Sequence, residues 1–338
     1  MSSVQTSKRI FGYDLIKALA MFMVVFYHFL MLDFSYQPGE FYIPNFNKVI
    51  QLICAASVPL FFMVNGTLTI NNKITLNKVV NKVARLFLIA IFWTLVLRCG
   101  VIGFLLGSDQ PHTIYGFINY YWFLISLAYV YILNYLIQIL PKWCGYLLVA
   151  AIFCVTFLNN FIWDIIIFVN PDHVLPKWGH TGLFTLYGLV YSRIGAYLKN
   201  KNLSTPICIL IFLLGLALNI FTTISMTNHD GAVYDGVSGS LPTFGAMFLS
   251  IGLFGMLKDV KDNFWPSQLI KTVGINSGGV YIFHLVFVLV IRDQMIATFD
   301  QRTFPIYVIL LIALGVTILC AYISEGISRT PAKVLLKL

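Results

Sequence analysis

Acidic, basic and imidazole side chains share one stripe of the first apolar segment. Asp14, Lys17 and His28 lie within Ile10–Leu32, a run long enough for a membrane helix of about 20 residues. In a helix that turns about 100° per residue, Lys17 and His28 face the same way and lie about 16 Å apart along the axis. Ionisable groups at such depths are tolerated only toward a bundle interior or a watery cavity, so the stripe predicts a functional site.

Two readings of this stripe remain open at the level of the sequence. Asp14 and Lys17 can lie in the headgroup layer, with the Lys17 amine extended to water. They can instead belong to one site with His28, which lies deeper and toward the other end of the segment. In either case we expect Asp14 to pair with a cation, because about 20 Å of helix separates it from His28.

Composition assigns the chain to the polytopic membrane proteins. Of its 338 residues 59% are hydrophobic and 10% are charged, and its mean hydropathy is +0.84, whereas soluble domains carry about 25% charged residues. We therefore predict an all-α bundle of about ten transmembrane helices, organised as a single domain over residues 1–338. The predicted spans are Ile10–Leu32, Val49–Ile70, Val83–Leu106, Ile118–Leu140, Tyr146–Val169, Leu183–Leu198, Ile207–Met226, Leu241–Leu257, Val273–Ile291 and Phe304–Ile327.

The net charge of +9 reflects loop topology rather than nucleic-acid binding, because Lys and Arg concentrate in alternate loops. This alternation predicts a multi-pass protein of the plasma or inner cell membrane with both termini in the cytoplasm. The cations on the predicted cytoplasmic side are Lys8, Arg9, Lys73, Lys78, Lys82, Arg85, Lys142, Arg193, Lys199, Lys201, Lys258, Lys261, Lys271, Arg329, Lys333 and Lys337. The opposite side carries Lys48, Lys177, Arg292 and Arg302.

The cysteines lie in or beside apolar runs, and none of them forms a C-x-x-C pair. We therefore predict neither a disulfide framework nor a metal site. The first apolar run is too long for the core of a signal peptide, so we expect it to be retained.

Cations lie at the start and in the interior of the third predicted span, Val83–Leu106, and each has more than one possible role. Lys82 and Arg85 are one turn apart and share a helix face. They either mark a cytoplasmic loop or bind phosphate beside free backbone N–H groups. Arg98 lies inside the span, where it extends to the outer surface, stabilises an oxyanion or binds an acceptor phosphate.

Short motifs follow one another along the chain at characteristic spacings. Lys17 and His28 enclose ten residues, and Lys82 and Arg85 enclose two. The other motifs are Pro59-Leu60-Phe61-Phe62 leading to Asn65-Gly66, Tyr120-Tyr121-Trp122-Phe123, Leu186-Tyr187-Gly188 followed by Arg193-x-Gly195, and Val280-Tyr281-Ile282-Phe283-His284. Taken together and in this order, they resemble the acyltransferase-3 family of integral membrane acyltransferases over nearly the whole chain.

The sequence departs from the family pattern at four positions. Lys17 and Lys82 stand where the family has Arg, and Asn65 replaces a Ser. The family's His two residues before Trp122 is absent, because that position is Tyr120. Lysine keeps the positive charge of arginine but lacks its planar fork, so bidentate phosphate binding is lost at these positions.

The resemblance implies transfer of an acyl group, usually acetyl from acetyl-CoA, to a hydroxyl of a cell-surface glycan or a lipid-linked sugar. It implies that Lys17, Lys82, Arg85 and Arg193 hold the phosphates of acetyl-CoA, and that His28 carries the catalysis. An imidazole with its ordinary pKa of about 6.5 can take a proton from a sugar hydroxyl. It can also carry the acyl group covalently, and both roles remain open.

Two further side chains are candidates for the site. His284 lies in the middle of the ninth predicted span, either as a buried residue bonded to a neighbouring helix or as a catalytic base. Trp122 belongs either to an interfacial aromatic belt or to a surface that stacks on a sugar. Two other classes of function also fit ten spans with buried charge: a transporter or flippase for an anionic or lipid-linked substrate, and a non-catalytic sensor or assembly subunit embedded among membrane lipids.

Overall fold

The computed structural model describes residues 9–30, 37, 39–70, 74–102, 121–172, 186–237, 240–299 and 304–336. Every regular element within these ranges is helical, which confirms the predicted all-α fold class. The helices are α1 (Phe11–Phe29), α2 (Phe46–Ile53), α3 (Ser57–Thr69), α4 (Leu76–Trp93), α5 (Trp122–Ile139), α6 (Lys142–Phe153), α7 (Asn159–Val169), α8 (Tyr187–Leu198), α9 (Thr205–Asp230), α10 (Phe244–Leu257), α11 (Ser267–Ile275), α12 (Ser277–Phe299) and α13 (Ile306–Ser328).

Several of these helices join into longer rods. A 3₁₀ turn at Cys54–Ala56 joins α2 to α3, and a π-helical segment at Cys154–Leu158 joins α6 to α7. A second π-helical segment, Thr94–Ile102, continues α4, and a short 3₁₀ helix at Pro331–Leu335 follows α13.

The helices are those of a multi-pass membrane protein. Within the described ranges, seven helical segments are long and apolar enough to span a bilayer, and the α11–α12 pair makes an eighth if it is one bent span. Helix occurs in each of the ten predicted runs, but α8 and α10 have only 12 and 14 residues. The count of ten spans and the cytoplasmic termini therefore stay predictions.

The helix α1 lies at the centre of the bundle. It contacts α3, α11, α12 and α13, and 67% of its apolar window is buried, against 28% for the α4 span. This position explains why polar residues are tolerated along it, since their surroundings are protein rather than lipid.

Close packing of backbones fixes the helices around α1. A Cβ on Gly66 would lie 1.8 Å from the backbone oxygen of Ser192, and one on Gly195 would lie 2.1 Å from that of Met63. Only glycine permits α3 and α8 to approach this closely. On another side of α1, a Cβ on Gly274 would lie 2.3 Å from the backbone oxygen of Asp14.

The ninth predicted span is broken rather than continuous. The axes of α11 and α12 differ by 84° at the single residue Asn276 between them. The Asn276 side chain holds the break, because its Nδ2 donates to the carbonyl of Thr272 (2.9 Å) and its Oδ1 accepts from Ser324 Oγ (3.3 Å). The break brings the first turn of α12 into the interior of the bundle.

Candidate active site

A cavity of about 560 Å³ lies at one end of the bundle, which we call the basic end. Its wall carries the three cations Lys17, Arg85 and Lys333, and no acidic side chain lines it among the described residues. The lining also includes apolar side chains from α1, α3 and α5, such as Met21 and Leu127. The cavity can therefore hold a ligand with an anionic part and a less polar arm.

The first turn of α12 adds to this electrostatic character. Ser277, Gly278 and Gly279 line the same cavity, and the backbone N–H groups at a helix start have no partners within the helix. They favour negative charge together with the helix dipole. The break at Asn276 is the feature that brings this helix start to the cavity.

Asp14 organises the cations beside the cavity. It is 2% exposed, and its carboxylate accepts from Arg9 Nε (2.5 Å) and Nη2 (2.8 Å) and lies 3.1 Å from Lys17 Nζ. Asp14 thus pairs with cations, as the sequence predicts, and it holds the Lys17 amine at the cavity wall.

Lys82 and Arg85, both on α4, lie at different positions relative to the cavity. Arg85 lines the cavity, whereas Lys82 does not. Lys82 Nζ donates to the Tyr131 hydroxyl (2.8 Å), which also accepts from Asn65 Nδ2 (2.8 Å), and Asn65 lines the cavity. Lys82 therefore contacts the cavity only through this chain of hydrogen bonds.

A smaller cavity of about 150 Å³ lies toward the opposite end of the bundle. His28 lines it, together with Tyr27 from α1, Ser57 from α3 and Trp122 from α5. Because Lys17 and Met21 line the large cavity while Val24 and His28 line the small one, both cavities follow a single face of α1.

Three aromatic side chains form a partition between the two cavities. Phe61, Phe123 and Tyr281 line both of them. The ring centroids of Phe61 and Phe123 are 5.7 Å apart, and those of Phe123 and Tyr281 are 5.2 Å apart. We call these three residues the aromatic partition.

The ring of His28, which lines the small cavity, packs against a second histidine that does not line it. The rings of His28 and His284 have centroids 5.3 Å apart, and His284 is 1% exposed. His284 Nδ1 lies 2.7 Å from the Tyr281 carbonyl and 3.2 Å from that of Val280. Since a carbonyl only accepts, this nitrogen carries the hydrogen, and Nε2 of the neutral ring carries the lone pair. No hydrogen-bond partner of Nε2 is found in the described part of the chain.

The loop between α9 and α10 covers the small cavity, and Val237 and Leu241 form part of the wall. Lys48, which is fully buried, donates from Nζ to the backbone oxygen of Asp235 (2.6 Å). The Tyr27 hydroxyl donates to the Asp235 carboxylate (2.8 Å). These bonds tie the loop to α2 and to α1, and α1 lines the cavity.

Further bonds hold the C-terminal end of this loop. The Tyr191 hydroxyl donates to the carbonyl of Leu241 (2.6 Å), and Asn160 Nδ2 donates to that of Pro242 (3.0 Å). Burial raises the pKa of Tyr234 within the loop, and the nearby Asp164 carboxylate raises it further, so this hydroxyl stays neutral.

The other predicted site residues have separate positions. Trp122 lines the small cavity, beside the partition. Arg193 is half-buried on α8 and lines neither cavity. Arg98 lies in the Thr94–Ile102 segment, but its side chain is outside the described residues, as is the whole of Tyr120.

Sequence reasoning missed several residues that the fold brings to the cavities. Lys333 counts in the sequence only as a cytoplasmic cation, yet its short helix folds back and lines the large cavity. A hydrogen bond from Trp93 Nε1 to the carbonyl of Leu335 (2.8 Å) fixes this position. Lys48 and Asp235 carry no local signal either, because their pairing depends on a long-range contact.

The chain was compared with known proteins and families. The family model described as an acyltransferase domain, that of the acyltransferase-3 family, matches residues 10–325. The chain belongs to this family, and it is accordingly a membrane enzyme that transfers acyl groups. No curated protein and no solved structure matches it.

Proposed function

We propose that the enzyme transfers an acetyl group from cytoplasmic acetyl-CoA to a hydroxyl of a cell-surface glycan or lipid-linked sugar, with His28 as the reacting imidazole. One observation carries the proposal: a cavity walled by cations and a cavity containing His28 adjoin along one face of α1. The first suits an anionic donor, and the second suits the proton transfer that acylation of a hydroxyl requires.

The basic end is the side from which the donor enters in this proposal. Lys17, Arg85 and Lys333 bind its phosphates, supported by the N–H groups at the start of α12. Lys82 acts through Tyr131, and Arg193 contributes at most long-range charge from α8. The pantetheine arm then follows α1 past Met21, over a distance of about 16 Å, to bring the thioester to His28.

The chemical step is an acyl transfer that consumes no other reactant. In the general-base route, His28 accepts the proton of the acceptor hydroxyl while the oxygen attacks the thioester carbon. The tetrahedral intermediate then loses its C–S bond, and His28 returns the proton to the leaving CoA thiolate. In the covalent route, His28 attacks first and releases CoA, and the acceptor hydroxyl then takes the acyl group from the imidazole.

The acceptor side of the proposal rests on the small cavity. Trp122 and His28 both line the small cavity, and Trp122 offers an aromatic face of the kind on which a sugar can stack at the cavity edge while only its reacting hydroxyl enters. Among members of the family, the motifs most resemble the O-acetyltransferase of enterobacterial common antigen, so a lipid-linked sugar is the first acceptor to try.

The test uses the full chain in lipid nanodiscs with acetyl-labelled acetyl-CoA. The acceptor probe is the glycolipid fraction of membranes from a strain that lacks the protein. We expect label to pass to this fraction only when the protein is present, with stoichiometric release of CoA thiol. Binding of acetyl-CoA without either product, or its movement across a vesicle membrane intact, would instead support a transporter.

A further inference from the structure

The aromatic partition lies on the route from the basic end to His28. Phe123 is 6% exposed and is backed by Phe62, whose ring centroid lies 5.2 Å away. Tyr281 is supported by Tyr121 at 6.2 Å. Phe61 and Tyr281 are both partly exposed, whereas Phe123 is buried.

The space beyond the partition is small. A volume of 150 Å³ corresponds to about five groups of the size of a water molecule. An acetyl group has three heavy atoms, and the carbon and oxygen of an acceptor hydroxyl add two. A hexanoyl group brings four more methylenes, which the cavity does not hold together with an acceptor.

We propose that Phe61, Phe123 and Tyr281 select the acyl group by length, so that donors with short acyl chains reach His28 and longer chains are excluded. This inference rests on the proposed function, because it assumes an acyl-CoA that enters from the basic end. Phe61 is the member of the partition to change first, because it is less buried than Phe123, whereas Tyr281 packs against His284.

The test measures binding of S-alkyl-CoA thioethers, which resemble acyl-CoA but cannot transfer a group. Calorimetry on the full chain in nanodiscs compares free CoA, S-ethyl-CoA and S-hexyl-CoA. Overfilling a packed site costs about 1–3 kcal/mol, so the wild type should prefer the ethyl over the hexyl compound by roughly 5- to 150-fold. Phe61→Ala should reduce this preference to within about threefold. The preference is taken as the ratio of the two affinities within each variant, so that any change in binding of the CoA part cancels.

Phe153→Leu is the matched control, with Phe61→Leu as its counterpart. Phe153 is partly exposed like Phe61, packs against the rings of Phe157 and Phe244, and lines neither cavity. Its change should therefore leave the ethyl-to-hexyl ratio as in the wild type. Comparison of the two Leu variants also tests the inference if Phe61→Ala does not fold.

Three results would overturn the inference. They are equal binding of both thioethers by the wild type, an unchanged ratio in folded Phe61 variants, and an equal change of the ratio in Phe153→Leu. Binding of free CoA distinguishes failure of this inference from failure of the proposal that CoA is the donor. If the wild type does not bind CoA, the donor proposal is wrong and the length selection falls with it; if CoA binds and the ratio does not respond, only the selection is wrong.

Discussion

The imidazole rings of His28 and His284 lie 5.3 Å apart, centroid to centroid, with their planes tilted by 37°. They come from α1 and α12, which are far apart in the sequence. Because the Nδ1–H of His284 is bonded to backbone carbonyls, the lone pair of its neutral ring is on Nε2. A hydrogen carried by His28 could be accepted there, which would orient the His28 ring for catalysis.

His28→Ala should reduce acyl transfer by at least about 10²-fold, the lower range for loss of a general base, while CoA still binds at the basic end. His28→Gln should be nearly as inactive, because an amide cannot take a proton at neutral pH. Transfer of labelled acetyl and calorimetry with CoA measure the two effects. An acid-labile acyl adduct that forms on the wild type without acceptor, and not on His28→Ala, would assign the covalent route instead.

His284→Phe keeps a ring but removes the acceptor atom, whereas His284→Gln restores an amide oxygen near the position of Nε2. We expect the Phe variant to lose roughly 5- to 150-fold in kcat with little change in KM, and the Gln variant to lose less. If His284 had only a structural role, the activity of each variant would depend only on how well its new side chain packs. If His284→Ala is inactive while His28→Ala stays near wild type, the base lies on α12.

Arg85→Ala and Lys333→Ala should each weaken CoA binding by about 1–3 kcal/mol, the range for a charge-assisted hydrogen bond. Lys82→Ala should cost less, because this ammonium contacts the cavity only through Tyr131. The loss should be larger for CoA than for dephospho-CoA or a short pantetheine thioester. Lys142→Ala is the control, since Lys142 is exposed and lines neither cavity; equal losses for all three ligands would indicate a topological role only.

Lys48→Met should loosen the loop over the small cavity. The substitution keeps an unbranched side chain but removes the donor to the Asp235 carbonyl, which costs about 1–3 kcal/mol when the partner stays buried. A lower midpoint of thermal unfolding and faster proteolysis between residues 231 and 243 should follow. The same change at exposed Lys142 should affect neither, and an unaltered loop in Lys48→Met would mean that the other bonds suffice.

Topology can be tested with single cysteines in a background that lacks the native ones. Lys78→Cys should be protected from an impermeant reagent in intact cells, because its loop belongs to the predicted cytoplasmic side. Ala232→Cys should be labelled; it is exposed in the loop after α9 and avoids the bonded Asp235. The reverse pattern would invert the bundle and put the cation-walled cavity outside the cell.

Periodicity made part of this arrangement predictable. Lys17 and His28 share a face because helical geometry is regular, and α1 extends from Phe11 to Phe29, covering both residues. The apolar runs predicted the helices for the same reason. The roles assigned to His28 and to the cations stay predictions, since they depend on ligands as well as on the fold.

Contacts between distant parts of the chain determine structural features that helical periodicity does not predict. The run Val273–Ile291 contains the segment Asn276-Ser277-Gly278-Gly279, whose composition is typical of a turn, but its length and overall hydropathy predicted one continuous span. The bond from Ser324 that holds the break at Asn276 is a long-range contact. The aromatic partition was not predictable. Phe61 and Phe123 are two of 29 phenylalanines, and what distinguishes them is contact with both cavities.

Because Lys17 and His28 belong to one continuous helix, the distance between the proposed anchor of the donor and the proposed reacting imidazole is fixed. The interval of about 16 Å is set by three rigid turns and does not adapt to the ligand. An acyl carrier with a shorter tether, such as acetyl phosphate, could occupy the anchor or reach the imidazole, but not both. In the proposed mechanism it would lack the high effective concentration that a tethered thioester has beside His28, so the spacing would discriminate between carriers before any contact with the acyl group.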